Sequence, residues 1–171
     1  MIEFRIEGPG DVTAIHDVNV RAFGQPTEAD IVDALRIASA DFLSLVAKDG
    51  GLVVGHILFT PATIERDARR VVGMGLAPLA IAPQRQSEGI GSELVRRGLE
   101  ILRERKCPFV VVLGHPDFYP RFGFERASTH GLTCQWEGVP DEAFMVLILD
   151  PQAMRGVSGV ARYRSEFDAA V

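Results

Sequence analysis

The chain has 171 residues, 47% of them apolar and 24% charged, with a formal net charge of −5. That length and balance predict one globular domain spanning residues 1–171 and argue against wholesale disorder. The acidic surplus and the lack of any basic run interleaved with aromatics argue against nucleic acid or an anionic membrane as a partner, and the longest apolar stretch, Val71 to Ala82, is too short for a membrane span and contains Pro78.

In chain order, Ile2 to Glu7 alternates apolar and charged residues with period two, which predicts a half-buried strand. Gly8-Pro9-Gly10 breaks it, and Asp11 is placed to cap a helix carrying Val12, Ile15, Val18, Ala22 and Phe23. Thr27 is placed to cap a second helix with Ile31, Ala34 and Leu35 on one face. Phe42–Ala47 and Leu52–Thr60 then read as two strands of a hairpin, because the intervening Asp49-Gly50-Gly51 supplies the positive φ a tight turn needs. A charged turn from Glu65 to Arg70 leads to another strand, Val71 to Ala82.

After Pro83 the periodicity becomes helical. Ile90, Leu94, Val95, Gly98, Ile101 and Leu102 form one apolar stripe, with Glu93, Arg96, Arg97, Glu100, Arg103 and Glu104 opposite. Gly98 within that helix costs about 1 kcal/mol relative to Ala, which predicts close packing there. Phe109–Leu113 is a continuous apolar run expected of a strand covered on both faces, and a strand–helix–strand unit of this kind makes its strands parallel. A Pro- and aromatic-rich turn from His115 to Phe124, an apolar strand from Ala143 to Leu149 and a Gly-containing tail complete the chain. Cys107 and Cys134 are far apart and in no metal or redox spacing; with no secretory leader visible, they predict free thiols in a reducing cytoplasm. The four histidines show no ligand-like spacing, so no metal site is expected.

The segment from Leu79 to Ser92 carries the most chemistry. A buried strand enters a turn containing Gly89 and Gly91, and the turn opens a helix. Glycines let main chain approach a ligand, and a helix N-terminus adds unpaired N–H donors and partial positive charge, which together suit a pyrophosphate. A dinucleotide fingerprint needs a small residue where Leu94 stands, and a Walker A loop needs a lysine the segment lacks.

Gln86-x-x-Gly89-x-Gly91 resembles the acetyl-CoA signature of the GNAT superfamily of N-acetyltransferases, and Tyr119-Pro120-Arg121-Phe122-Gly123-Phe124 resembles the segment that follows that family's fifth strand. Gly75–Ala80, Val112–Gly114, Val139–Met145 and Gly159–Tyr163 are similar to the bacterial YhbS-type branch of the superfamily. The resemblance implies an α/β fold with a central, mostly antiparallel sheet, a splayed parallel strand pair and flanking helices. It implies an acyltransferase that moves the acetyl group of acetyl-CoA to a primary amine of a small molecule or a protein. Main-chain groups of Leu79, Ala80 and Ile81 would meet pantetheine. Gln86, Ser87, Glu88, Gly89, Ile90, Gly91 and Ser92 would surround the pyrophosphate.

Tyr119 would return a proton to the departing thiolate, since a phenol of pKa about 10 stays protonated at neutral pH. Glu28, His56, His115 and Asp117 are candidates for the base, and a water chain without a single base is a further option. The resemblance leaves a homodimer open, and a non-catalytic acyl-CoA-binding module is the competing function. Two residues depart from the family pattern: Ser87 stands where glycine is frequent, and Glu88 sets a carboxylate beside the expected phosphates, a charge that Arg85 is placed to offset.

Overall fold

The computed structural model describes residues 1–171. In chain order the elements are β1 (Ile2–Ile6), α1 (Val12–Phe23), α2 (Thr27–Ala38), β2 (Leu43–Asp49), β3 (Leu52–Arg66), β4 (Arg69–Ile81), α3 (Ile90–Glu104), β5 (Phe109–Leu113), β6 (Glu125–Arg126), β7 (Leu132–Cys134), β8 (Phe144–Ile148) and β9 (Gly159–Arg162). The sheet order is β1-β2-β3-β4-β5-β8-β6, with β9 pairing both β3 and β7. Pairing is antiparallel except at β4–β5 and the short β7–β9. The mixed α/β architecture expected from the sequence is therefore present. The residues fall into two compact units, 1–59 with 77–100 and 166–171, and 60–76 with 101–165.

In the first unit, β2 and β3 turn through Gly50 (φ 57°) and Gly51 (φ 84°), the left-handed pair that a two-residue hairpin needs. Asp11 precedes α1 but makes no side-chain cap. Its buried carboxylate accepts instead from Arg5 (2.6 and 3.1 Å) and from the Gly8 amide (2.7 Å), tying the helix start to β1. Those bonds, Arg5 first, hold its pKa down at about 2 against a burial cost. Thr27 is the first residue of α2 rather than its cap, which is Pro26. Along α3, Ile90, Leu94, Val95 and Leu99 are buried. A Cβ at Gly98 would stand 2.4 Å from the Phe59 ring, so the missing side chain is what lets helix and strand close.

In the second unit, β3 continues past Thr60 to Arg66 because burial alternates onward through Ala62 and Ile64. The expected charged turn shortens to Asp67-Ala68, between β3 and β4. β5 is covered on both faces, with Phe109, Val110 and Val111 fully buried. It is parallel to β4 over Met74–Leu76 against Val110–Val112, and antiparallel to β8 over Phe109–Leu113 against Ile148–Phe144. The tail, read from sequence as containing glycine and the Gly159–Tyr163 resemblance segment, forms β9, which pairs with Thr63–Glu65 of β3.

Candidate active site

The segment expected from the sequence to receive an anion lies in the first unit. After β4 ends at Ile81, residues Pro83–Arg85 make a short 3-10 turn, and Gln86 to Gly89 lead into α3. Ser87 (φ 65°) and Gly89 (φ 84°) both adopt the left-handed region. Glycine does so freely; Ser87 carries a backbone cost of about 1–2 kcal/mol. Nothing lies within 4 Å of where a Gly89 side chain would begin, so the loop is open there.

The first i to i−4 bond of this helix runs from Glu93 N to Gly89 O (3.1 Å). The amides of Ile90, Gly91 and Ser92 precede it and have no intrahelical acceptor, which makes them available to an anion. Ile90 and Ser92 turn their side chains inward, at 2% and 9% exposure, so what they can offer a ligand is main chain. On β4, Ala80 is buried while Leu79 and Ile81 are half-buried. The Ile81 carbonyl accepts a long bond from Gln86 Nε2 (3.4 Å).

Glu88 does not stand as an isolated negative charge in this loop. Arg85 Nε donates to both of its carboxylate oxygens (3.2 and 3.0 Å), and Arg85 Nη1 donates to Asp49 (2.7 Å). Open amides, a positive-φ glycine and a compensated carboxylate fit a pyrophosphate.

The same unit holds Glu28 and His56. Glu28 lies in the first turn of α2, half-buried, with Gln25 Nε2 donating to its carboxylate (2.8 and 3.2 Å). His56 is fully buried in β3. Its Nδ1 accepts from Asn19 Nδ2 (3.0 Å), which also donates to Ile15 O, and its Nε2 pairs with Ser44 Oγ (2.9 Å). With Nδ1 accepting, the proton sits on Nε2 and is donated to Ser44. Burial first, and the Arg36 charge second, push the imidazole pKa down to about 3, so His56 is neutral. The α1–α2 hairpin also brings ligating atoms of His16, Asp30 and Asp33 within 4.8 Å of one another, a grouping that sequence spacing does not display. His16 Nδ1 lies 2.8 Å from Asp33 Oδ2.

The second unit holds Tyr119, first residue of a 3-10 turn that Gly123 (φ 97°) closes with a bond from its amide to Pro120 O (3.0 Å). Its ring meets Phe118 edge-on (4.9 Å between centroids) and Phe124 (5.7 Å), and a Cβ at Gly114 would stand 2.5 Å from it. Only 7% of the residue is exposed. Burial alone raises its pKa well above the ordinary phenol value, so the hydroxyl keeps its proton across the physiological range. His115 and Asp117 are exposed; the His115 carbonyl accepts from Phe118 N (3.1 Å).

From the sequence, Tyr163 is only the end of the Gly159–Tyr163 segment that resembles the YhbS-type branch, with no role at the site. It is buried behind β9, and its hydroxyl lies 3.0 Å from Leu76 O and 3.1 Å from Val111 O. The Gly159–Tyr163 segment does not reveal this contact, because both hydroxyl partners are distant in the chain.

A model of the acetyltransferase (GNAT) domain matches residues 3–127. YhbS of Escherichia coli K12, described as an uncharacterised N-acetyltransferase, is 38% identical over 165 residues, covering 96% of this chain and 97% of that protein. The crystal structure of YhbS from Escherichia coli in complex with CoA superposes with a TM-score of 0.91 at 36% identity, covering 98% of this chain and 92% of that one. A GNAT family acetyltransferase from Brucella melitensis in complex with acetyl-CoA gives a TM-score of 0.79 at 35% identity, with 98% and 99% covered.

Proposed function

The chain belongs to the acetyltransferase (GNAT) family, and from that premise we propose that it moves the acetyl group of acetyl-CoA to a primary amine by direct attack on the thioester. The observation that carries this reading is the loop from Gln86 to Ser92, whose positive-φ turn leads into helix amides without intrahelical acceptors. When bound, acetyl-CoA supplies an activated carbonyl. Ser87 to Ser92 hold its pyrophosphate through main-chain N–H groups, with Gln86 beside them. Leu79, Ala80 and Ile81 offer strand main chain to the pantetheine arm much as a strand receives an added strand.

The amine nitrogen attacks the carbonyl carbon; a C–N bond forms and the C–S bond breaks. Glu28 takes the proton the amine loses, and Tyr119 gives one to the departing sulfur. A phenol raised by burial is a weak acid, but the same surroundings raise the proton affinity of a departing thiolate. His56, neutral and engaged at both ring nitrogens, anchors α1 to the sheet rather than exchanging protons with solvent. The Arg85–Glu88 pair offsets the Glu88 charge that counted towards the competing non-catalytic acyl-CoA-binding module.

This reading takes residues 1–171 as one acetyltransferase domain acting in the cytoplasm on a small-molecule or protein amine, as a monomer or homodimer. No helix is long and apolar enough to cross a membrane, and both cysteines are free. Thermal unfolding with acetyl-CoA, CoA, NAD and ATP tests it. Ligand at about a hundred times its dissociation constant stabilises by roughly 2.7 kcal/mol, a rise of several degrees at this size. Stabilisation by acetyl-CoA and CoA alone is the expected result; no rise at millimolar acetyl-CoA would end the acyltransferase reading.

A further inference from the structure

The parallel ladder between β4 and β5 is short. Its register runs over Met74–Val110, Gly75–Val111 and Leu76–Val112, although β4 continues to Ile81. At its last rung a side chain from elsewhere intervenes. Tyr163 follows β9, and its amide donates to Gln135 Oε1 (2.5 Å) while its ring lies against Trp136, 5.6 Å between centroids. A Cβ at Gly75 would stand 2.6 Å from the Tyr163 ring, so the phenol rests directly on the β4 main chain. Its hydroxyl is within reach of Leu76 O on one strand (3.0 Å) and Val111 O on the other (3.1 Å), and the Leu113 backbone also hydrogen-bonds the phenol oxygen.

In a regular parallel ladder such groups bond strand to strand. Here the one O–H proton of a phenol from a third segment is shared between carbonyls on both strands at the point where their register ends. Only tyrosine combines a ring flat enough to lie on a glycine with a hydroxyl at the required reach; phenylalanine keeps the first property and loses the second.

We propose that Tyr163 is a positioning residue for the acyl carrier: by bridging Leu76 and Val111 it sets where the β4–β5 ladder stops, and so the main-chain groups that β4 presents from Leu79 to Ile81. The inference rests on the acetyl-CoA reading above. Tyr163 touches no reacting atom; it acts through the strand it holds.

The test is Tyr163→Phe, with Ile15→Val as a control that loses a buried methyl in α1. CoA dissociation constants are measured by calorimetry on the full chain, without turnover, well below either variant's melting temperature. Loss of one hydrogen-bonding hydroxyl is expected to weaken CoA binding about three- to tenfold in Tyr163→Phe. Ile15→Val should bind CoA like the wild type despite its own loss of stability. Amide exchange at Leu113 in the CoA-free protein should quicken in Tyr163→Phe and not in the control. Wild-type affinity in Tyr163→Phe would overturn the proposal, and so would equal weakening in both variants, which would mark general destabilisation. A wild-type protein that does not bind CoA would instead overturn the acetyl-CoA reading itself, and is recognised before either variant is measured.

Discussion

In the Gln86–Ser92 segment the groups offered to a ligand are backbone amides of consecutive residues, and their arrangement follows from a positive-φ glycine and a helix start. Around Tyr119 the arrangement comes instead from side-chain packing between residues 114 and 124: Gly114 leaves room for the ring, Phe118 and Phe124 enclose it, and burial alone fixes its proton. The first region depends on local backbone geometry and tolerates many side chains. The second depends on packing and on one hydroxyl. Substitutions should therefore separate them, with affinity read at the loop and turnover at the phenol.

The largest effect is expected from Tyr119→Phe. Removing a general acid lowers kcat by about a hundredfold or more, and the acetyl-CoA dissociation constant should stay near the wild-type value because the loop is untouched. Steady-state kinetics with calorimetry would show this; unchanged turnover would remove Tyr119 from the mechanism and reduce its pocket to aromatic packing.

His56 sharpens the contrast, because it is fully buried and has both ring nitrogens engaged. Its folded pKa of about 3 lies below the ordinary 6.5, so the unfolded chain takes up the proton first as pH falls. Its stabilising contribution is complete above pH 6.5 and is lost progressively between 6.5 and 3. At pH 5 that loss is on the order of 2 kcal/mol. Melting temperatures between pH 7 and 5 should fall in the wild type, and His56→Gln should lack that part of the slope. Asp11, held at about 2 by Arg5, gives up its contribution only as pH falls below the ordinary carboxylate value of 3.8, outside this window.

At the loop, Gly89→Ala meets no atom within 4 Å, so any effect is conformational. Forcing alanine to φ 84° costs about 1–2 kcal/mol, which should weaken acetyl-CoA binding up to about tenfold with kcat little changed. Calorimetry showing wild-type affinity would mean the loop does not need this backbone shape. The smallest effect is expected from Ser87→Gly at φ 65°. Relief of backbone strain exceeds the added freedom of the unfolded chain by about 0.5 kcal/mol, so the melting temperature should rise by about 1–2 °C. A fall would show that the Ser87 side chain contributes more than its strain costs.

The Arg85–Glu88–Asp49 arrangement marks where legibility in the sequence begins to fail. The i,i+3 pairing of Arg85 with Glu88 is readable from spacing; the second ion pair, to Asp49 at 2.7 Å, requires the hairpin to have folded. α3 shows the same limit: its stripe was legible, but Leu99 replaces Ile101 on the fully buried face because the contact with β3 selects the angle.

The amino-acid sequence by itself determined the order of the strands and helices through β5, the hairpin at Gly50-Gly51, the Gly98 contact and the loop geometry at Gly89, because each depends on period, φ or spacing within a few residues. Only the tertiary structure decided that Asp11 serves Arg5 instead of its own helix, that His56 is locked between Asn19 and Ser44, that the tail returns as β9, and that Tyr163 bridges Leu76 and Val111. All but the first join residues far apart in the chain, and a buried polar group takes whichever partner the packed fold brings within about 3 Å, a choice that no local pattern encodes.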